Sequence, residues 1–176
     1  MPLATQAAAA AKAKAAQEKA AEPADDSSKL ALPDRLIPVY RQILQRFADQ
    51  GVEWVQIDEP ILVLDLPDSW QRSYLRVYDQ LAAASTCKLL LATYFGGLEN
   101  NLFTALEMPV DGLHLDRVRG NDDLGQVVPR LGDKVLSLGY INGRNIWRTD
   151  LDAALDALIA LRNRFPPGVR QGGGIR

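Results

Sequence analysis

Four short apolar runs lie in the middle of this chain, and a stretch of helical periodicity follows each one. Val52–Ile57, Lys88–Tyr94, Gly112–Asp116 and Lys134–Gly139 read as strands, separated by breakers such as Gly51, Gly96-Gly97 and Asn142-Gly143. Consecutive strands that alternate strictly with helices need crossover connections, and crossovers produce a parallel sheet. No other feature narrows the fold so far. The chain belongs to the α/β class.

The helical segments carry apolar stripes at the matching period. Leu36, Ile37, Tyr40, Ile43, Leu44 and Phe47 precede the first strand, and Gly51 is a good stop signal. After it, Asp68 or Ser69 can cap a helix whose inner stripe is Trp70, Tyr74, Val77, Tyr78 and Leu81. Leu98, Leu102, Phe103 and Leu106 form the third stripe. Asn121 can cap the fourth, with Asp122 and Asp123 in its first turn and Leu124, Val127, Val128 and Leu131 inward. Thr149 can cap a last helix with Leu151, Leu155, Leu158 and Ile159 facing the core. The Lys88–Tyr94 run is apolar on both faces, as in parallel sheets covered by helices.

The units are of barrel type, but a closed (βα)8 barrel needs eight strands and roughly 250 residues. Four strands with covering helices make an incomplete TIM-type barrel, part of a larger enzyme or one partner in an oligomer that closes the sheet. A free-standing open sheet is the alternative. Either way two sheet edges are open, and open edges favour self-association.

The ends differ from the middle. Residues 1–29 form a low-complexity Ala/Lys-rich segment that is expected to be disordered or loosely helical. It has no Arg and no run of large apolar residues, which argues against a targeting peptide. Residues 30–164 make the folded domain, and 165–176 a Gly-rich disordered tail. Its Gly run lacks the Gly-Lys-Ser/Thr ending of a phosphate loop. A net charge of −2 implies neither nucleic acid nor a membrane surface as partner. No apolar run approaches the roughly 20 residues of a membrane span. The only cysteine, Cys87, excludes an internal disulfide and a multi-cysteine zinc site in one chain, and suggests a reducing, cytoplasmic setting.

Chemistry-bearing residues gather at the strand ends, the ligand face of parallel α/β folds. The first strand delivers Asp58 and Glu59, and Pro60 then ends its ladder. With His114 and Asp116 these carboxylates offer a hard donor set suited to Mg²⁺ or Mn²⁺. The competing reading is structural: the carboxylates bond neighbouring loops, and His114, the only histidine, is a satisfied core residue. Cys87 reads as a buried inert thiol.

Several motifs together resemble the amino-terminal domain of cobalamin-independent methionine synthase. They are Leu36-Ile-Pro-Val-Tyr40, Val52-Glu-Trp-Val-Gln-Ile-Asp-Glu-Pro60, Leu91-Ala-Thr-Tyr-Phe-Gly96, Gly112-Leu-His-Leu-Asp116 and Gly139-Tyr-Ile-Asn-Gly-Arg-Asn-Ile-Trp147, in the family's order. The likeness covers approximately Leu30–Arg164.

It implies an enzyme of two barrels that transfers a methyl group from a 5-methyltetrahydrofolate polyglutamate to homocysteine. It also implies zinc held in the other, carboxyl-terminal barrel. Where that barrel has a His-Cys strand end, this chain has Thr93-Tyr94-Phe95; the position of its Glu ligand is plausibly Asp116, by internal analogy only. The chain alone is therefore expected to bind no cofactor and to be inactive. Arg117, Arg119, Arg144 and Arg148 follow the third and fourth strands and are candidates to receive the folate polyglutamate carboxylates. Ordinary loop charge, or pairing with Asp116, Asp122 and Asp123, is the competing reading. Tyr94, Phe95, Tyr140 and Trp147 are expected to plug the barrel mouth.

Overall fold

The computed structural model describes residues 26–163, apart from Asp123. The expectations for the Ala-rich head lie almost entirely outside these residues, and those for the tail entirely so. The chain divides into two units, Met1–Leu32 and Pro33–Arg176. In the first, Asp26–Ala31 forms a 3₁₀ turn.

The second unit holds α1 (Pro33–Asp49), β1 (Trp54–Asp58), α2 (Asp68–Ala82), β2 (Lys88–Ala92), α3 (Leu102–Glu107), β3 (Gly112–Asp116), α4 (Leu124–Val127), β4 (Val135–Gly139) and α5 (Leu151–Arg162). The strands form one parallel sheet in the order β1-β2-β3-β4. This is the α/β arrangement of an incomplete TIM-type barrel. Among the described residues no helix is long and apolar enough to cross a membrane.

Pro33 opens α1, where its missing N–H costs nothing. Gly51 ends the connection to β1 at φ +78°, as its N–H bonds Ala48 O and the N–H of Val52 returns to Phe47 O. α1 packs on α2, where the Arg41 guanidinium donates twice to Gln80 O and Arg76 pairs with Asp34.

The register explains the core. Val55, Ile57, Leu89, Leu91, Leu113, Leu115, Leu136 and Leu138 alternate along four strands and share one face of the sheet. That face packs against Ile37, Leu44, Tyr78, Leu81, Leu102 and Leu106 from the helices, together with Leu62 and Met108. The other face carries Trp54, Gln56, Asp58, Lys88, Leu90, His114, Val135 and Ser137. It is partly open: Trp54, Gln56, Asp58 and Lys88 are exposed. Helices thus cover one face, not both, because the second face is the concave side of a barrel wall.

Three local expectations change. The α5 stripe does not face the core: Leu151, Leu155, Leu158 and Ile159 are 61, 55, 39 and 47 % exposed, and Leu161 is buried instead. An amphipathic helix buries its stripe only where a neighbouring layer exists, and no described element lies beyond it. Its N-cap is Asp150, which accepts from the N–H of Ala153 at 3.0 Å, rather than Thr149. Neither Asp68 nor Ser69 caps α2, whose N-cap position is Pro67 with Asp68 in the first turn.

Candidate functional site

Alternation sends the two carboxylates that end β1 to opposite sides of the sheet. Asp58 stays on the open face, where Gln56 Nε2 donates to it at 2.7 Å and the Tyr94 hydroxyl also donates. These bonds, Tyr94 first, hold its carboxyl below the ordinary value, while Tyr94 is pushed up to about 12 by the same contact. Glu59 turns into the helix layer. There the Tyr74 and Tyr78 hydroxyls donate to it at 3.0 and 2.9 Å. Burial raises its pKa despite both donors, and burial raises both tyrosines further still.

At the end of β3, Asp116 is buried. Burial alone would raise its pKa, but backbone donors outweigh it and the carboxyl lies below its ordinary value. The N–H groups of Phe95, Val118 and Arg119 supply those bonds at 2.8, 2.8 and 3.0 Å. One of them pins Phe95 in the left-handed region, at φ +77°. Gly120 closes the loop so tightly that a Cβ there would lie 2.4 Å from Asp116 O and 2.8 Å from Gly96 O.

His114 sits one register step deeper on the same face. Its Nδ1 lies 2.8 Å from Ser137 Oγ, and its main-chain oxygen accepts from the Thr93 hydroxyl at 2.8 Å. Burial lowers its pKa, with Asp116 and Asp58 opposing. The neutral imidazole is favoured.

The four arginines separate. Arg117 turns inward, its Nη1 donating to Asp122 O at 2.9 Å while its Nε is buried without a partner. Asp122, expected in a helix turn, is buried and accepts from the N–H of Leu98 at 2.7 Å, and burial raises its pKa. Arg119 is exposed beside Asp116. Arg144 lies over the Phe95 ring at 3.9 Å, which is cation–π geometry. Arg148 is exposed farther along the same loop. Trp147 is 76 % exposed and plugs nothing among the described residues, whereas Tyr94 and Phe95 meet edge to face at the rim.

The structure does not assemble the divalent-metal set of Asp58, Glu59, His114 and Asp116. Among the described residues no group of three or more His, Cys, Asp or Glu is placed to hold a metal ion. The reason is visible in each partner: Glu59 leaves the face, Asp116 is saturated by main-chain N–H groups, and His114 Nδ1 is committed to Ser137. Zinc of the family type does not fit either. The single thiol, Cys87, is buried just before the first residue of β2, with its Sγ 3.2 Å from Val52 O. His114 lies toward the other end of the sheet.

Sequence reading missed the partners rather than the principals. Tyr74 and Tyr78 read as core stripe, and Ser137 carried no signal. The four-residue spacing of the two tyrosines on α2 is the one clue that both could reach a single acceptor.

The rim therefore has Asp58, Tyr94, His114, Asp116 and two accessible arginines around the carboxyl ends of β1–β4, on the wall of an unclosed barrel. Residues 14–166 match the family described as cobalamin-independent synthase, N-terminal domain, and the match begins inside the Ala-rich segment. The chain belongs to the N-terminal domain family of cobalamin-independent methionine synthase.

Proposed function

We propose that this chain is a scaffolding and folate-holding part of a cobalamin-independent methionine synthase. In that enzyme a methyl group passes from a 5-methyltetrahydrofolate polyglutamate to homocysteine. The homocysteine sulfur must react as thiolate, and a thiolate at neutral pH needs a metal or a strong positive field. This chain offers one buried cysteine and one histidine, so zinc belongs to a partner half. One observation carries the reading: Glu59, His114 and Asp116 all spend hydrogen-bonding capacity on the protein's own groups. They stabilise a rim rather than act on a substrate.

The exposed arginines Arg119, Arg144 and Arg148 are the proposed receivers of polyglutamate carboxylates, with Arg144 already oriented by Phe95. Arg117 positions the Asp122 loop instead. A single buried thiol suits a reducing, cytoplasmic setting.

The test is methyl transfer by the purified 176-residue chain with zinc, homocysteine and methyltetrahydrofolate triglutamate. No turnover is expected until a separately purified zinc-bearing half is added. Zinc-dependent turnover by this chain alone overturns the proposal.

A further inference from the structure

We infer that two copies of this chain pair through their open sheet edges to close one eight-stranded ring. The sheet ends on β1 and β4, which are both five residues long and run in the same direction. Among the described residues neither has a partner on its outer side. Each therefore presents a free row of main-chain N–H and C=O groups, and an open parallel edge is a template for another strand. A second copy brings a β1 edge to the first copy's β4, and its own β4 to the first copy's β1. A twofold axis along the barrel axis forms both seams at once and leaves no edge over. Four strands from each copy make the eight of this barrel class.

The helix layer supports the same occupant. α1 precedes the β1 edge and α5 follows the β4 edge, so closure sets α5 of one copy beside α1 of the other. Both helices expose apolar stripes: Tyr40, Ile43 and Phe47 on α1, and Leu151, Leu155 and Ile159 on α5. Their charges are complementary. α1 bears Arg35, Arg41 and Arg46 against Asp34 and Asp49, while α5 with its cap bears Asp150, Asp152 and Asp156 against Arg162. Pairing α1 with α1, or α5 with α5, would instead set like charges together. The half-open face with Trp54, Gln56 and Lys88 then becomes the lumen, and one barrel mouth holds two copies of the Asp58–His114–Asp116 rim.

This inference does not depend on the catalytic proposal, because its test reads mass and not methyl transfer. Sedimentation of the full chain over a range of micromolar concentrations should give a discrete species of twice the 19.3 kDa chain mass. The double variant Asp152→Arg/Asp156→Arg should weaken that dimer about tenfold, and adding Arg35→Asp/Arg46→Asp should restore it. Circular dichroism of each variant checks that the fold persists. If the first double variant fails to fold, Arg35→Asp/Arg46→Asp alone gives the same reading from the other side of the seam. A monomer at every concentration overturns the inference, including one that binds only a separate companion domain. So does assembly that grows without limit, or a dimer indifferent to these charges.

Discussion

The main-chain N–H of Phe95 donates to Asp116 Oδ2 at 2.8 Å, joining the loop after β2 to the end of β3. Phe95 holds a positive φ there, and Asp116 is the group that makes the conformation stable. Asp116→Ala strands buried donors on Phe95, Val118 and Arg119, so urea unfolding should report a loss of about 3 kcal/mol. A loss below about 1 kcal/mol would show that the loop stands without it. The folded carboxyl lies below its unfolded value, so its contribution is present above the unfolded pKa. It disappears as pH falls through the folded one, and Asp116→Asn should flatten that acid limb.

Glu59 has the opposite sign. Burial raises its folded pKa, so the folded state binds the proton more tightly than the unfolded chain does. Stability should therefore decline as pH rises from the unfolded carboxylate value through the folded one. Glu59→Gln should abolish that decline. Tyr78→Phe leaves one buried carboxylate oxygen without a donor, and should cost about 2 kcal/mol at neutral pH but less once Glu59 is protonated. Equal losses at both pH values would contradict the arrangement.

Tyr94→Phe removes the leading cause of the low Asp58 pKa. The Asp58 carboxyl resonance, followed by NMR against pH, should titrate higher in the variant, toward its ordinary value. Because Asp58 is exposed, unfolding free energy should change by no more than about 0.5 kcal/mol. An unshifted titration would remove Tyr94 from the site.

Gly120→Ala forces a Cβ against the main-chain oxygens of Asp116 and Gly96. Neither oxygen can move without breaking the rim, so a loss of about 2 kcal/mol or more is expected. Gly143→Ala meets open space and serves as the control. Differential scanning calorimetry on the pair decides it: equal melting temperatures would mean that the loop yields.

The strand and helix order was legible from residue identity, because a period of two and a period near 3.6 are local properties of a chain. So was the delivery of Asp58, Glu59, His114 and Asp116 to strand ends, along with the family likeness. What tertiary structure decided is which side each group faces and what it meets there. Glu59 finds Tyr74 and Tyr78 fifteen and nineteen residues away, and Asp116 finds the Phe95 N–H twenty-one residues back. Parallel register creates those neighbours, and no window of sequence contains them. The α5 stripe shows the converse: its periodicity was plain, yet burial is a relation between two surfaces, and the described fold supplies only one of them.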